Sequence, residues 1–103
     1  MFKLQPAPLF WAKVSIYVPE SSADAVLDVQ FQHKTRSQLA EFLKFPEGTT
    51  DLTAISEIVA DWKGIDEKFS AKNLEALLDN YPSASQAMIE AYRDALGVLR
   101  RKN

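Results

Sequence analysis

Cysteine is absent from the chain, and with it go disulfides, thiolate nucleophiles and zinc sites built on sulfur. A single histidine, His33, leaves no histidine metal cluster and no Cys/His dyad. No G-x-S-x-G segment occurs that would lift a serine on a nucleophile elbow beside it. The three glycines, at 48, 64 and 97, are too scattered to cradle a phosphate in a P-loop or dinucleotide turn. No window alternates oxygen ligands around a central glycine as an EF-hand does. Apolar runs stop after a few residues, far short of the roughly 20 that a membrane-crossing helix requires. Met1-Phe2-Lys3-Leu4-Gln5-Pro6 carries neither the apolar core nor the cleavage site of a signal peptide. Basic excess is missing too: 12 Lys and Arg against 14 Asp and Glu give a net charge of −2, which repels phosphate backbones. The one basic cluster, Arg100-Arg101-Lys102, reads as cations at the negative end of a helix dipole. The expectation is a soluble, cytoplasmic, non-catalytic protein with no cofactor, metal, nucleic acid or membrane partner.

What is present describes an ordinary globular chain, 47% hydrophobic and 25% charged, with a length that predicts one domain over 1–103. Apolar residues alternate along 10–18, with Ala12, Val14, Ile16 and Val18 on one face and Lys13 and Ser15 on the other. Trp11 and Tyr17 share that second face, so it is only partly polar, and a helix could lie on it. After a loop at Pro19–Asp24, Leu27, Val29 and Phe31 alternate with Asp28, Gln30 and Gln32, giving a second strand at 26–33. Thr35-Arg36-Ser37-Gln38 is a capping-box pattern that opens a helix over about 36–44, closed by Phe45-Pro46-Glu47-Gly48. Thr50 or Asp51 caps a helix over 51–63, on which Leu52, Ile55, Val59 and Trp62 recur at helical steps and Lys63-Gly64 supplies the stop. Ser70 caps a helix over 71–79, and Ser83-Ala84-Ser85-Gln86 repeats the capping-box pattern ahead of the longest helix, 84–100. The predicted class is α+β: an N-terminal antiparallel β-hairpin followed by about four helices, predominantly helical.

Single groups with chemical potential have plainer roles. His33, between a strand and a capping threonine, reads as a turn residue, and the carboxylate pairs Glu57/Asp61 and Asp66/Glu67 read as solvated helix faces. Aromatics stand out more. Trp11, Tyr17, Trp62, Phe69, Tyr81 and Tyr92 are many large rings for one modest core, and Tyr and Trp suit positions that are half core and half contact.

An ordered pattern runs through the second half: Asp61-Trp62-Lys63-Gly64-Ile65-Asp66, then Phe69-Ser70-Ala71-Lys72-Asn73-Leu74, then Leu77-Leu78-Asp79-Asn80-Tyr81-Pro82, then Ile89-Glu90-Ala91-Tyr92. It resembles the tail assembly chaperones of long-tailed bacteriophages and prophages, with Ala12–Ile16 and Val29–Lys34 resembling that family's opening strands. The resemblance implies a non-catalytic protein of the host cytoplasm, absent from the mature virion. It would bind the tape measure protein, and the tail tube protein as a further partner, as a homo-oligomer. The expected contact residues are Trp62, Phe69, Tyr81, Pro82 and Tyr92. Rival readings are a structural head–tail connector or tail completion protein and, last, a small DNA-binding regulator.

Overall fold

A computed structural model describes residues 1–98. Three strands, β1 (Leu9–Ile16), β2 (Ala25–Gln32) and β3 (Val59–Lys63), form one antiparallel sheet in the order β1-β2-β3. Four helices accompany it: α1 (Arg36–Phe42), α2 (Asp51–Ile58), α3 (Ala71–Asn80) and α4 (Ala84–Ala95). The class is α+β, as the sequence predicts. The opening hairpin is present, with Ala12 opposite Val29 and Val14 opposite Leu27, but it is two-thirds of a larger sheet. Helix takes 38% of the described residues and strand 21%, so helix leads without dominating.

The alternation in β1 and β2 does what period 2 requires. Val14, Ile16, Leu27, Val29 and Phe31 point into the core, and α4 lies across β1 on that side. The opposite face carries Trp11, Lys13, Ser15 and Val26, and no helix of the described residues lies on it. There Lys13 Nζ pairs with Asp28 Oδ1 at 2.8 Å, and Lys63 Nζ sits 4.5 Å above the Trp11 ring.

The third strand corrects the helix expected over 51–63. Thr50 accepts from the Thr53 amide at 3.1 Å and starts α2, but the helix stops at Ile58, and Val59 is already extended at φ −103°, ψ 128°. β3 then pairs with β2, with Val29 opposite Trp62 and Phe31 opposite Val59, and a register shift at Gln30/Phe31 leaves Ala60 as an extra residue. In a regular strand, positions three apart face opposite sides. The bulge turns Val59 and Trp62 to the same side, both into the core. A bulged strand joined directly to a helix thus reproduces the three-and-four spacing of one continuous helix. Gly64 does take the left-handed backbone expected of it, φ +93°, but to turn out of β3 rather than to close a helix.

Caps explain the other boundaries. Thr35 and Gln38 form the complete capping box, at 3.2 and 2.9 Å, and α1 ends at Phe42 rather than 44. The second capping-box pattern does not operate. Ser83 follows Pro82 with helical backbone angles, φ −87° and ψ −3°, and a residue already in helical geometry cannot swing its hydroxyl back onto the first turn. Ser85 instead donates to Asp51 Oδ2 at 2.9 Å, tying α4 to the start of α2, and Gln86 bonds Glu90. The helix expected over 84–100 stops at Ala95, with Leu96 as its C-cap and Gly97 turning the chain at φ +87°, while Leu99 and the cluster Arg100-Arg101-Lys102 lie outside the described residues.

Tyr92 locks α4 to the sheet. Its ring meets Phe31 at 5.1 Å, Phe10 at 6.1 Å and Phe42 at 6.2 Å, and its hydroxyl donates to the Gln32 carbonyl at 2.7 Å. Burial, and then the negative charge of Glu57, push its phenol up from 10.0 to about 12. The unfolded chain therefore loses this proton first. The stabilisation is complete below about pH 10 and falls away as pH rises through 10 to 12.

Two outcomes follow from this packing. Tyr92→Phe should cost about 1 kcal/mol at neutral pH through the lost hydrogen bond and should blunt the loss of stability between pH 10 and 12, as urea titrations at pH 7 and 11 would read. Gly64→Ala should cost about 1–2 kcal/mol in the same assay through its positive φ alone, since the added Cβ would sit at ordinary contact distance, 3.6 Å, from the Val26 carbonyl.

Candidate functional site: a groove along helix α3

Helix α3 begins where Ser70 accepts from the Asn73 amide at 3.0 Å, and the loop before it is fastened from both sides. From the sheet, Trp62 Nε1 donates to the Glu67 carbonyl at 2.9 Å. From the helix, Asn73 Nδ2 donates to the Lys68 carbonyl at 2.8 Å. Phe69 completes the clamp, its ring edge-on to Trp62 at 5.2 Å and 86°. Loop carbonyls that would otherwise face solvent without order are held by two side chains, which fixes the segment 65–69 as a rigid wall.

Between that wall and α3 lies an apolar groove. One lobe, about 320 Å³, is lined by Trp62, Ile65, Ala76, Leu77 and Tyr81 with Asn73 and Asn80 at its polar edge. A second lobe, about 250 Å³, continues past Ile65, Leu77 and Tyr81 to the end of the hairpin at Ile16, Val18 and Leu27. Among the described residues Asp66 and Glu67 are the only charged ones lining either lobe, so the groove is an apolar trough with an acidic lip. Tyr81, which lines both lobes, stands where α3 ends, its amide bonded to the Leu77 carbonyl at 3.0 Å.

Four of the five expected contact residues gather around this helix. Phe69 and Tyr81 are half-buried, Pro82 is exposed, and Trp62 is 5% exposed at the floor. Tyr92 is not among them. It is fully buried at the opposite end of the sheet, within the ring cluster that fastens α4. Ile65, Leu77 and the two asparagines were not foreseen as site residues. Leu77 stands in the apolar pattern of α3 and reads as core, and Asn73 is visible only as part of the F-S-x-x-N-L segment, whose third polar position now has a physical role.

The other grouped side chains are structural. Lys34 Nζ reaches Glu57 Oε2 at 2.5 Å and lies 5.4 Å from the Phe42 ring centre, an ion pair with its carboxylate half exposed that links the segment before α1 to α2. Asp61 lies on β3 rather than on a helix face with Glu57, and its carboxylate accepts from the Trp62 amide at 2.8 Å. His33 donates its backbone N–H to the Pro8 carbonyl at 2.9 Å. Among the described residues no group of three or more His, Asp and Glu could hold a metal ion, and no helix is long and apolar enough to cross a membrane.

The clamp predicts a graded response at Trp62. Trp62→Phe keeps most of the buried ring but loses the bond to Glu67, for a cost of about 1–2 kcal/mol. Trp62→Ala should cost about 3 kcal/mol or more, since it empties the floor as well. Urea denaturation of the two variants would separate the wall-holding bond from simple packing.

No curated protein and no solved structure matches the chain. A family model described as phage tail assembly chaperone matches residues 1–103. The match spans the full length and agrees with the ordered pattern from Trp62 to Tyr92, and the chain belongs to the phage tail assembly chaperone family.

Proposed function

We propose that the protein binds the tape measure protein during tail morphogenesis, with the tail tube protein as a second partner, and that the α3 groove is where it does so. The observation that carries this reading is the groove itself: an apolar trough on a rigid wall, on a chain of a tail assembly chaperone family. A tape measure protein is a long, largely helical chain whose apolar stripes need cover until the tube forms, and a helix laid in an apolar groove is a recurrent way to provide it. Phe69, Tyr81 and Pro82 supply the accessible contacts. Trp62 and Tyr92 act from within, the first by holding the wall and the second by holding α4. The action is non-catalytic, takes place in the host cytoplasm, and leaves no copy in the mature virion. The working form is a homo-oligomer, which multiplies weak contacts along one client.

Capture of tape measure protein by the tagged chaperone tests the reading. Tyr81→Ala should lower affinity about tenfold in a protein with an unchanged circular dichroism spectrum, the loss expected for an aromatic anchor. Undiminished capture by the folded variant would refute the groove as the docking site. Tyr92→Ala is unsuitable for this purpose because it would empty the core.

A further inference from the structure

Among the described residues the charge on the α3 groove has no internal partner. The larger hollow beside α1, about 470 Å³, also has acids in its lining, but Lys44 pairs with Glu41 there and Lys34 with Glu57. Asp66 and Glu67 at the α3 groove make no salt bridge with any described lysine or arginine. Lys68 and Lys72 follow closely in sequence, yet both are exposed and neither lines a lobe. The backbone that carries Glu67 is held in place, because Trp62 Nε1 donates to its carbonyl. We infer that the groove selects its client segments by charge: it takes an amphipathic helix whose apolar ridge is flanked by lysine or arginine, and Asp66 and Glu67 read those cations.

That the occupant is helical follows from what the groove does not offer. An extended segment finds no ladder to join, because α3 bonds its own backbone and the Trp62 amide on the edge strand β3 is taken by the Asp61 carboxylate. The Glu67 and Lys68 carbonyls of the wall are likewise taken, by Trp62 and Asn73. An extended client would therefore lay unpaired N–H and C=O groups on apolar surface, which is costly. A helix pairs its own backbone and brings only side chains. Apolar residues three or four apart on it fill the two lobes, which meet at Ile65, Leu77 and Tyr81.

Charge then decides which helices are held. A cation beside the ridge meets Asp66 or Glu67 at the lip of an apolar trough, where the attraction is screened less than on an open surface. A carboxylate in the same place is repelled, so acidic segments are rejected while basic ones are retained. Asp66 and Glu67 act in this way only where the groove is the client's docking site, so the proposal rests on that reading.

Fluorescence polarisation of labelled synthetic peptides against the full chain tests it. Two helical peptides share one leucine ridge, the first with lysines along its flanks and the second with glutamates. The lysine peptide should bind about tenfold tighter at about 50 mM salt, and the gap should narrow at about 300 mM. Asp66→Lys with Glu67→Lys should invert the preference, and Asp66→Asn with Glu67→Gln should abolish it. Both double variants keep the wall, since Trp62 bonds the Glu67 carbonyl and not its side chain, and an unchanged circular dichroism spectrum checks this. Equal affinity of the two peptides for the unaltered chain, or a preference that survives the reversal, would overturn the proposal. Equally tight binding of a lysine peptide whose helix is broken by proline would overturn it as well. Tyr81→Ala separates this failure from failure of the docking site. If Tyr81→Ala weakens both peptides while the charge reversal alters neither, the groove stands and the charge reading falls. If Tyr81→Ala leaves both peptides and the capture of tape measure protein untouched, the groove is refuted and the proposal with it.

Discussion

The contact on which the rest of the molecule depends is the meeting of Tyr92 with Phe31, Phe10 and Phe42. A three-stranded sheet with one open face has little area with which to hold helices, and the described ring cluster concentrates that hold at one end. The hydroxyl bond from Tyr92 to the Gln32 carbonyl fixes how far along β2 the helix α4 can sit. With α4 placed, Met88 and Ala84 fill the space beneath it. α2, which contacts α3 and α4 as well as β2 and β3, is placed in turn.

At the other edge of the sheet the bulge in β3 plays a comparable part. By turning Val59 and Trp62 to the same side, it lets a five-residue edge strand contribute two large apolar groups to the core. Trp62 then spends its one polar atom on the loop rather than on the core, which is how an amphipathic ring can serve packing and positioning together. The groove is a consequence of this arrangement: the loop stands off from α3 because Trp62 and Asn73 hold its carbonyls, and the space between is left apolar. Packing that secures the fold therefore also shapes the proposed docking surface, while the residues that would meet a client sit at the edge of the core and not inside it.

Much of the fold is legible in the sequence because period 2 and period 3.6 leave different marks. The faces of β1 and β2 follow from Val14, Ile16, Leu27 and Val29, and the starts of α1, α2 and α3 from Thr35, Thr50 and Ser70. β3 is hidden for a specific reason: a bulge gives a strand the spacing of a helix, and Val59 follows Ile58 with no glycine or proline between to mark the change. Ser83 is misleading because a capping box is a pattern of residue types, whereas capping needs extended backbone that Pro82 and its turn do not leave. The same limit applies to the aromatics. Nothing in the spacing separates Tyr92, which is buried, from Tyr81, which lines the groove, because that difference is set by which end of the sheet each helix meets. The open, mixed-charge face of the sheet with Trp11 and Lys63 follows from the alternation, but its lack of a covering helix does not.

Amide hydrogen exchange on the chaperone, alone and with tape measure protein, tests the central claim most directly. The account predicts slowed exchange in Ile65–Lys68 and along the second half of α3 to Tyr81 when the client is present, with the amides of β1 unchanged. Protection confined to β1 and the open face of the sheet, with α3 and its loop unaffected, would contradict it.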